Sequence, residues 1–250
     1  MGKSQGKSLV KGTPSQSSEA GYAHFATARL LKESPFSYVC HRCTRCCRHF
    51  AIPLTPFDLL RLADYFGMTT TEVIEQHLDG NSNLRRRKDG TCKFLSAKGC
   101  AAHGGRPLVC RIYPLARNVA PAGEWFTVLA PVPGSEADWS ENGTVADYLE
   151  EQGALASIEG YDVYSRLHSR LDQRFRQIVA KAKGGRKGRA AIEPLNLGLI
   201  AGGILDPDPA IENYCRQHDL PVPSSLRHKA ACHVQAIEEW AENKLKEIEL

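Results

Sequence analysis

The chain has 250 residues, is 42% hydrophobic and 24% charged, and carries a formal net charge of +4. Those are the proportions of an ordinary globular protein, and so small a net charge does not argue for nucleic acid or a membrane surface as partner. No apolar run reaches the roughly 18 residues that a membrane-spanning helix needs.

Residues 1–20 are rich in Ser, Gly and Lys and are expected to be a disordered leader. They lack the apolar stretch and small-residue cleavage site of an export signal. The chain is therefore expected to be cytoplasmic, where thiols are kept reduced. Residues 22–33 have the pattern of a short helix stopped by Ser34-Pro35, and the run CHRCTRCC follows. Next come two predicted helices. Thr55 is a good N-cap, Pro56 suits the first helical position, and Leu59, Leu62, Ala63 and Phe66 make an apolar stripe that Gly67 ends. Thr69 or Thr70 caps the second, which carries Val73, Ile74 and Leu78.

The stretch from Asn81 to Asn118 is rich in turns, with Asp89-Gly90 and Lys98-Gly99 flanking a short predicted strand at CKFL. Residues 125–130, WFTVLA, have strand composition. From Thr144 onward the apolar positions recur at helical spacing. The basic, glycine-rich segment at 184–190 is expected to be a linker, because no stacking aromatics accompany it. Two more helices are predicted on either side of Pro221 and Pro223, with Cys215 and Cys232 on their apolar faces as core residues.

The strongest signal is the cysteine spacing. Seven of nine cysteines fall between Cys40 and Cys110: Cys40, Cys43, Cys46, Cys47, Cys92, Cys100 and Cys110. In a reducing compartment such a cluster points to metal rather than disulfides. Two-residue spacing lets successive thiolates converge from one tight turn, as in zinc knuckles and iron–sulfur loops. The run Cys40-x2-Cys43-x2-Cys46 resembles the start of a ferredoxin-type loop. A fourth ligand would then come from Cys92, Cys100 or Cys110, with the adjacent Cys47 as competitor. Arg42, Arg45, Arg48, Arg106 and Arg111 flank the cysteines and would offset thiolate charge. His41, His49 and His103 are candidate nitrogen ligands. Sulfur donors without a placed carboxylate exclude calcium and magnesium but leave both zinc and iron open.

The segments CHRCTRCC, DGTCKFLSAKGC and RPLVCRIYPL together closely resemble the YkgJ-type cysteine-cluster proteins, the CxxCxxCC zinc- or iron-chelating family. The resemblance runs from about Phe36 to Gly153 and includes the helix pair after Thr55 and the segment TVADYLEEQG. It implies that the seven cysteines are the metal-binding set, and Arg106, Pro107 and Arg111 match its Arg-Pro-x-x-Cys-Arg signature. Where many relatives carry Cys-Pro-Gly, this chain has Val132-Pro133-Gly134, so a full eight-thiol set is absent. Some relatives resemble flagellin lysine methylases, for which the resemblance implies an iron–sulfur cluster.

The expected fold is mainly α. A small, irregular, metal-centred domain with one or two short strands should occupy residues 36–135, followed by a helical extension over 144–183 and a C-terminal helical segment over 191–250. The expected function is binding of an iron–sulfur cluster, a [4Fe-4S] centre being favoured, or of zinc, in a structural or redox role. A cluster-dependent enzyme akin to the lysine methylases is the alternative, although no dinucleotide loop, P-loop or nucleophile elbow is present. A protein partner docking on the helical tail is a further expectation.

Overall fold

The computed structural model describes residues 22–23, 25–80, 82–120, 122–181 and 206–249. The leader at 1–20 and the linker at 184–190 lie outside the described residues. The chain divides into two compact units, the described residues of Met1–Cys46 with Pro114–Tyr148, and Cys47–Tyr113 with Leu149–Leu250.

The first unit is built from two antiparallel strand pairs. Strand β1 (Pro35–Cys40) pairs with the strand Ala137–Thr144, from Pro35 opposite Thr144 to Cys40 opposite Ala137. Alternation turns Phe36 and Tyr38 inward. There they meet Trp139, whose ring centroid lies 6.4 Å from Phe36 and 4.8 Å from Tyr38. Phe25 stacks on the same indole at 5.9 Å. The second pair is a hairpin of Leu115–Ala120 and Gly123–Val128, in register from Leu115↔Val128 to Ala120↔Gly123. Leu30 bridges to this hairpin, exchanging backbone hydrogen bonds with Phe126 at 2.9 and 2.8 Å.

The second unit begins within the short helix α1 (Cys46–His49) and continues with α2 (Pro56–Phe66) and α3 (Thr70–His77). Both longer helices start with reciprocal capping boxes, Thr55 with Asp58 and Thr69 with Glu72. Thr69, not Thr70, is the cap. Thr70 instead donates its hydroxyl to Asp206 at 2.5 Å and its backbone N–H to Asp208 at 2.8 Å. After α3 come strands β2 (Leu95–Ser96) and β3 (Gly99–Cys100), a minimal antiparallel pair. Helix α4 (Leu108–Ile112) follows. The hairpin strands of the first unit are then β4 and β5, and Ala137–Thr144 is β6. Helix α5 (Val145–Glu151) precedes α6 (Leu155–Lys181), α7 (Pro207–Gln217) and α8 (Leu226–Glu249).

Helix α2 divides its apolar residues between two cores. Leu59, Leu62 and Ala63 pack with Val73, Leu78, Leu84, Phe94 and Ala102, and the partly buried Cys92 and Cys100 lie against this group. Phe57 and Leu60 face Tyr164, Leu167, Ile211, Val234 and Ile237 from the long helices. Gly160 makes the second contact close: a Cβ there would stand 2.3 Å from the Phe57 ring.

The mainly α expectation with one or two strands does not hold. Six strands in three separate antiparallel pairs occur among the described residues, beside the helices. The reason lies in pairing distance. The β6 residues ADWSENGT lack apolar alternation, and only β1, about a hundred positions earlier, supplies their hydrogen-bond partners. The predicted helix over 22–33 is likewise not continuous, because the chain turns after Phe25 and Leu30 joins Phe126.

Candidate metal centre

Four of the predicted ligands belong to the second unit, and each is held by a different local device. Cys47 lies on α1, and its carbonyl accepts the Cys92 N–H at 2.9 Å. The Arg86 guanidinium fixes the same junction, donating to the carbonyls of Gly90 at 2.6 Å, His49 at 3.0 Å and Arg48 at 2.5 Å. Cys100 ends β3 opposite Leu95. Cys110 sits on α4, whose first residue Leu108 donates its N–H to Asp58 Oδ1 at 2.9 Å. Asp58 Oδ2 meanwhile accepts from Thr55 N at 2.9 Å, so one buried carboxylate starts α2 and positions the turn that carries Cys110.

These four sulfurs lie within mutual electrostatic range. Burial pushes the Cys110 thiol up, and Cys47, Cys92, Cys100 and Asp58 push it further. Burial raises Cys92 as well, with Cys47 adding to the shift and Arg86 opposing it. Cys100 is raised by burial and by Cys47 and Cys92, against Arg106. Left to themselves Cys92, Cys100 and Cys110 stay protonated; a bound cation is what would favour the thiolate form. Among the described residues, no three His, Cys, Asp or Glu side chains gather closely enough to hold a single metal ion.

The other three predicted ligands, Cys40, Cys43 and Cys46, belong to the first unit. Cys40 closes β1 and is exposed, whereas Cys43 and Cys46 are half-buried. The loop bends sharply, with Arg42 at φ 58° and Thr44 at φ 63°, a left-handed conformation that costs about 1–3 kcal/mol in a residue other than glycine. Its return is an N–H···S bond from Arg42 N to Cys40 Sγ at 3.3 Å. The Arg45 guanidinium lies over Gly134, where a Cβ would meet its carbon at 3.2 Å. Gly134 also has φ 69°, so the Val132-Pro133-Gly134 segment retains its glycine for a steric reason.

Residues 39–132 match the family model CxxCxxCC, described as "Putative zinc- or iron-chelating domain". Residues 39–132 are thus similar to a CxxCxxCC domain. The match supports a metal-binding role, and all seven candidate cysteines fall inside the matched residues. No curated protein and no solved structure matches the chain. The donor chemistry of the CxxCxxCC domain fits the description, since thiolates suit zinc and iron.

The candidate histidines are otherwise engaged. His41 Nε2 pairs with Asp138 Oδ2 at 2.9 Å, His103 Nε2 with Arg106 at 3.0 Å, and His49 meets Phe50 edge-on. Of the flanking arginines, Arg106 acts on Cys100 and also bonds Gln152 Oε1 at 2.8 Å. Arg111 instead braces the backbone, donating to Gln152 O at 2.9 Å and Gly104 O at 2.7 Å. Sequence reasoning passed over Arg86 and the second function of Asp58. Arg86 stands in the run Arg85-Arg86-Arg87, which reads as solvated charge, and the Leu108 partner of Asp58 becomes visible only in three dimensions.

Proposed function

We propose that the CxxCxxCC domain holds an iron–sulfur cluster on Cys47, Cys92, Cys100 and Cys110, and that the cluster is a structural centre. The observation that carries this is that these four thiols act on one another electrostatically. Cys47 helps to raise the thiols of Cys92, Cys100 and Cys110, so a cation bound among them would be held by four sulfurs. Four thiolates suit a tetrahedral zinc ion and the four corners of a [4Fe-4S] cluster alike. The preceding Cys40-x2-Cys43-x2-Cys46 run, similar to the start of a ferredoxin-type loop, favours the cluster. The structural role follows from what the ligands join. Between Asp79 and Pro107 the regular structure among the described residues is the two-residue strands β2 and β3, and Cys92 and Cys100 seat this segment on the α2–α3 core. Ligand convergence would add cohesion to a loop-rich segment beyond the apolar contacts of Leu84, Phe94 and Ala102.

The Cys40, Cys43 and Cys46 loop is the second donor set, supported by its N–H···S bond and its left-handed turns. Anaerobic purification followed by visible absorption, iron, zinc and acid-labile sulfide analysis tests the reading. A brown protein with matching iron and sulfide supports it. A colourless protein with stoichiometric zinc overturns the cluster and retains metal binding. Serine at Cys92 or Cys110 should abolish the absorption, and an unchanged spectrum would remove those residues from the ligand set.

A further inference from the structure

The two cysteines outside the matched domain meet in the helical core. Cys215 lies near the end of α7 and Cys232 in the second turn of α8, and their sulfurs are 3.6 Å apart. Both are buried, at 2% and 7% exposure, in the core shared with Ile211, Ala230, Val234 and Ile237. The connection between the helices is fixed by several bonds. Leu220 N donates to Cys215 O at 2.8 Å, and His218 pairs with Glu239 at 2.6 Å. The Cys215 thiol also lies 3.7 Å from the Pro221 carbonyl, which can accept its proton and leave a sulfur lone pair toward Cys232.

We propose that Cys215 and Cys232 are a reversible dithiol–disulfide pair, a modification site separate from the seven-cysteine metal set. A disulfide needs its sulfurs at about 2.05 Å. From the observed contact the remaining approach is about 1.5 Å, which side-chain rotation with a slight helix shift can supply. The bonds around the connection hold the pair together, so each thiol has the other as its nearest reactive partner.

The oxidant is a hydroperoxide, a small uncharged molecule able to enter when the helix packing opens locally. The Cys232 sulfur attacks one peroxide oxygen, the O–O bond breaks, and water leaves with the thiol proton, giving a sulfenic acid. The Cys215 sulfur then attacks that sulfur. The S–S bond forms, the S–O bond breaks, and the hydroxyl leaves as a second water with the Cys215 proton. Two thiols lose two electrons and two protons while one hydrogen peroxide becomes two waters. Burial and the neighbouring Cys215 hold the Cys232 thiol up at about 11, so the reaction waits on local opening and is slow.

The test treats the full-length protein with hydrogen peroxide, blocks remaining thiols with N-ethylmaleimide and maps tryptic peptides by mass spectrometry. Cleavage after Arg216, Arg227 and Lys229 separates the two cysteines, so their disulfide appears as a joined peptide pair. The proposal expects that pair, its loss on adding dithiothreitol, and a dimedone-trapped sulfenic acid at Cys232 in Cys215→Ser. Recovery of both cysteines as N-ethylmaleimide adducts, at a peroxide dose that oxidises other cysteines of the chain, overturns it. Joining of either one to an N-terminal cysteine does so too.

Discussion

The backbone N–H of Cys92 donates to the carbonyl of Cys47 at 2.9 Å, tying the end of the CxxCxxCC run directly to the first downstream cysteine. The chain between them contains α2 and α3. Those two capped helices therefore act as a spacer that returns the second thiol to the first.

Arg86 clamps this junction through three carbonyls. Arg86→Ala should lower metal content per chain several-fold, measured by elemental analysis of the purified protein. Arg86→Lys should not restore it, because an ammonium lacks the planar fork that reaches all three oxygens. Full metal loading in the lysine variant would show that charge alone suffices.

Asp58 serves two partners from inside the core. Asp58→Ala removes the α2 capping box and leaves Leu108 N–H without its acceptor, which should cost about 2–4 kcal/mol in urea unfolding. Metal content should fall with it, because α4 carries Cys110. A normal metal content in a destabilised but folded Asp58→Ala protein would separate the cap from the centre.

Gly160 touches the Phe57 ring. Gly160→Ala should destabilise the helical core by about 1–3 kcal/mol through overpacking, despite the higher helix propensity of alanine. The double variant Gly160→Ala, Phe57→Leu should recover part of that loss. Thermal melts of the two variants decide it.

Two exposed carboxylates set an acid limit. Hydrogen bonds from Thr69 lower the Glu72 pKa from its ordinary 4.5, and those from Thr144 lower Asp147 from 3.8. A carboxylate with a depressed folded-state pKa contributes stability above its unfolded value and loses it as pH falls through the folded value. Stability should therefore decline below about pH 4.5, and Glu72→Gln with Asp147→Asn should flatten that decline in melts recorded across the acid range.

The sequence by itself determined the chemistry and the local punctuation. Seven clustered sulfur donors, three of them at knuckle spacing, restrict the metal whatever the fold, because ligand softness belongs to the residue type. Thr55, Pro56 and Gly67 mark the bounds of α2 because capping is satisfied within one helical turn. Tertiary structure alone decided which thiols meet. Cys47, Cys92, Cys100 and Cys110 interact because α2 and α3 fold back and Asp58 and Arg86 bind backbone atoms far away in sequence. The same holds for β6, whose polar residues become a strand only beside β1, and for Cys215 and Cys232, two core thiols in sequence and a touching pair once α7 packs on α8. In each case the deciding term is a contact between distant residues, and local propensity does not encode it.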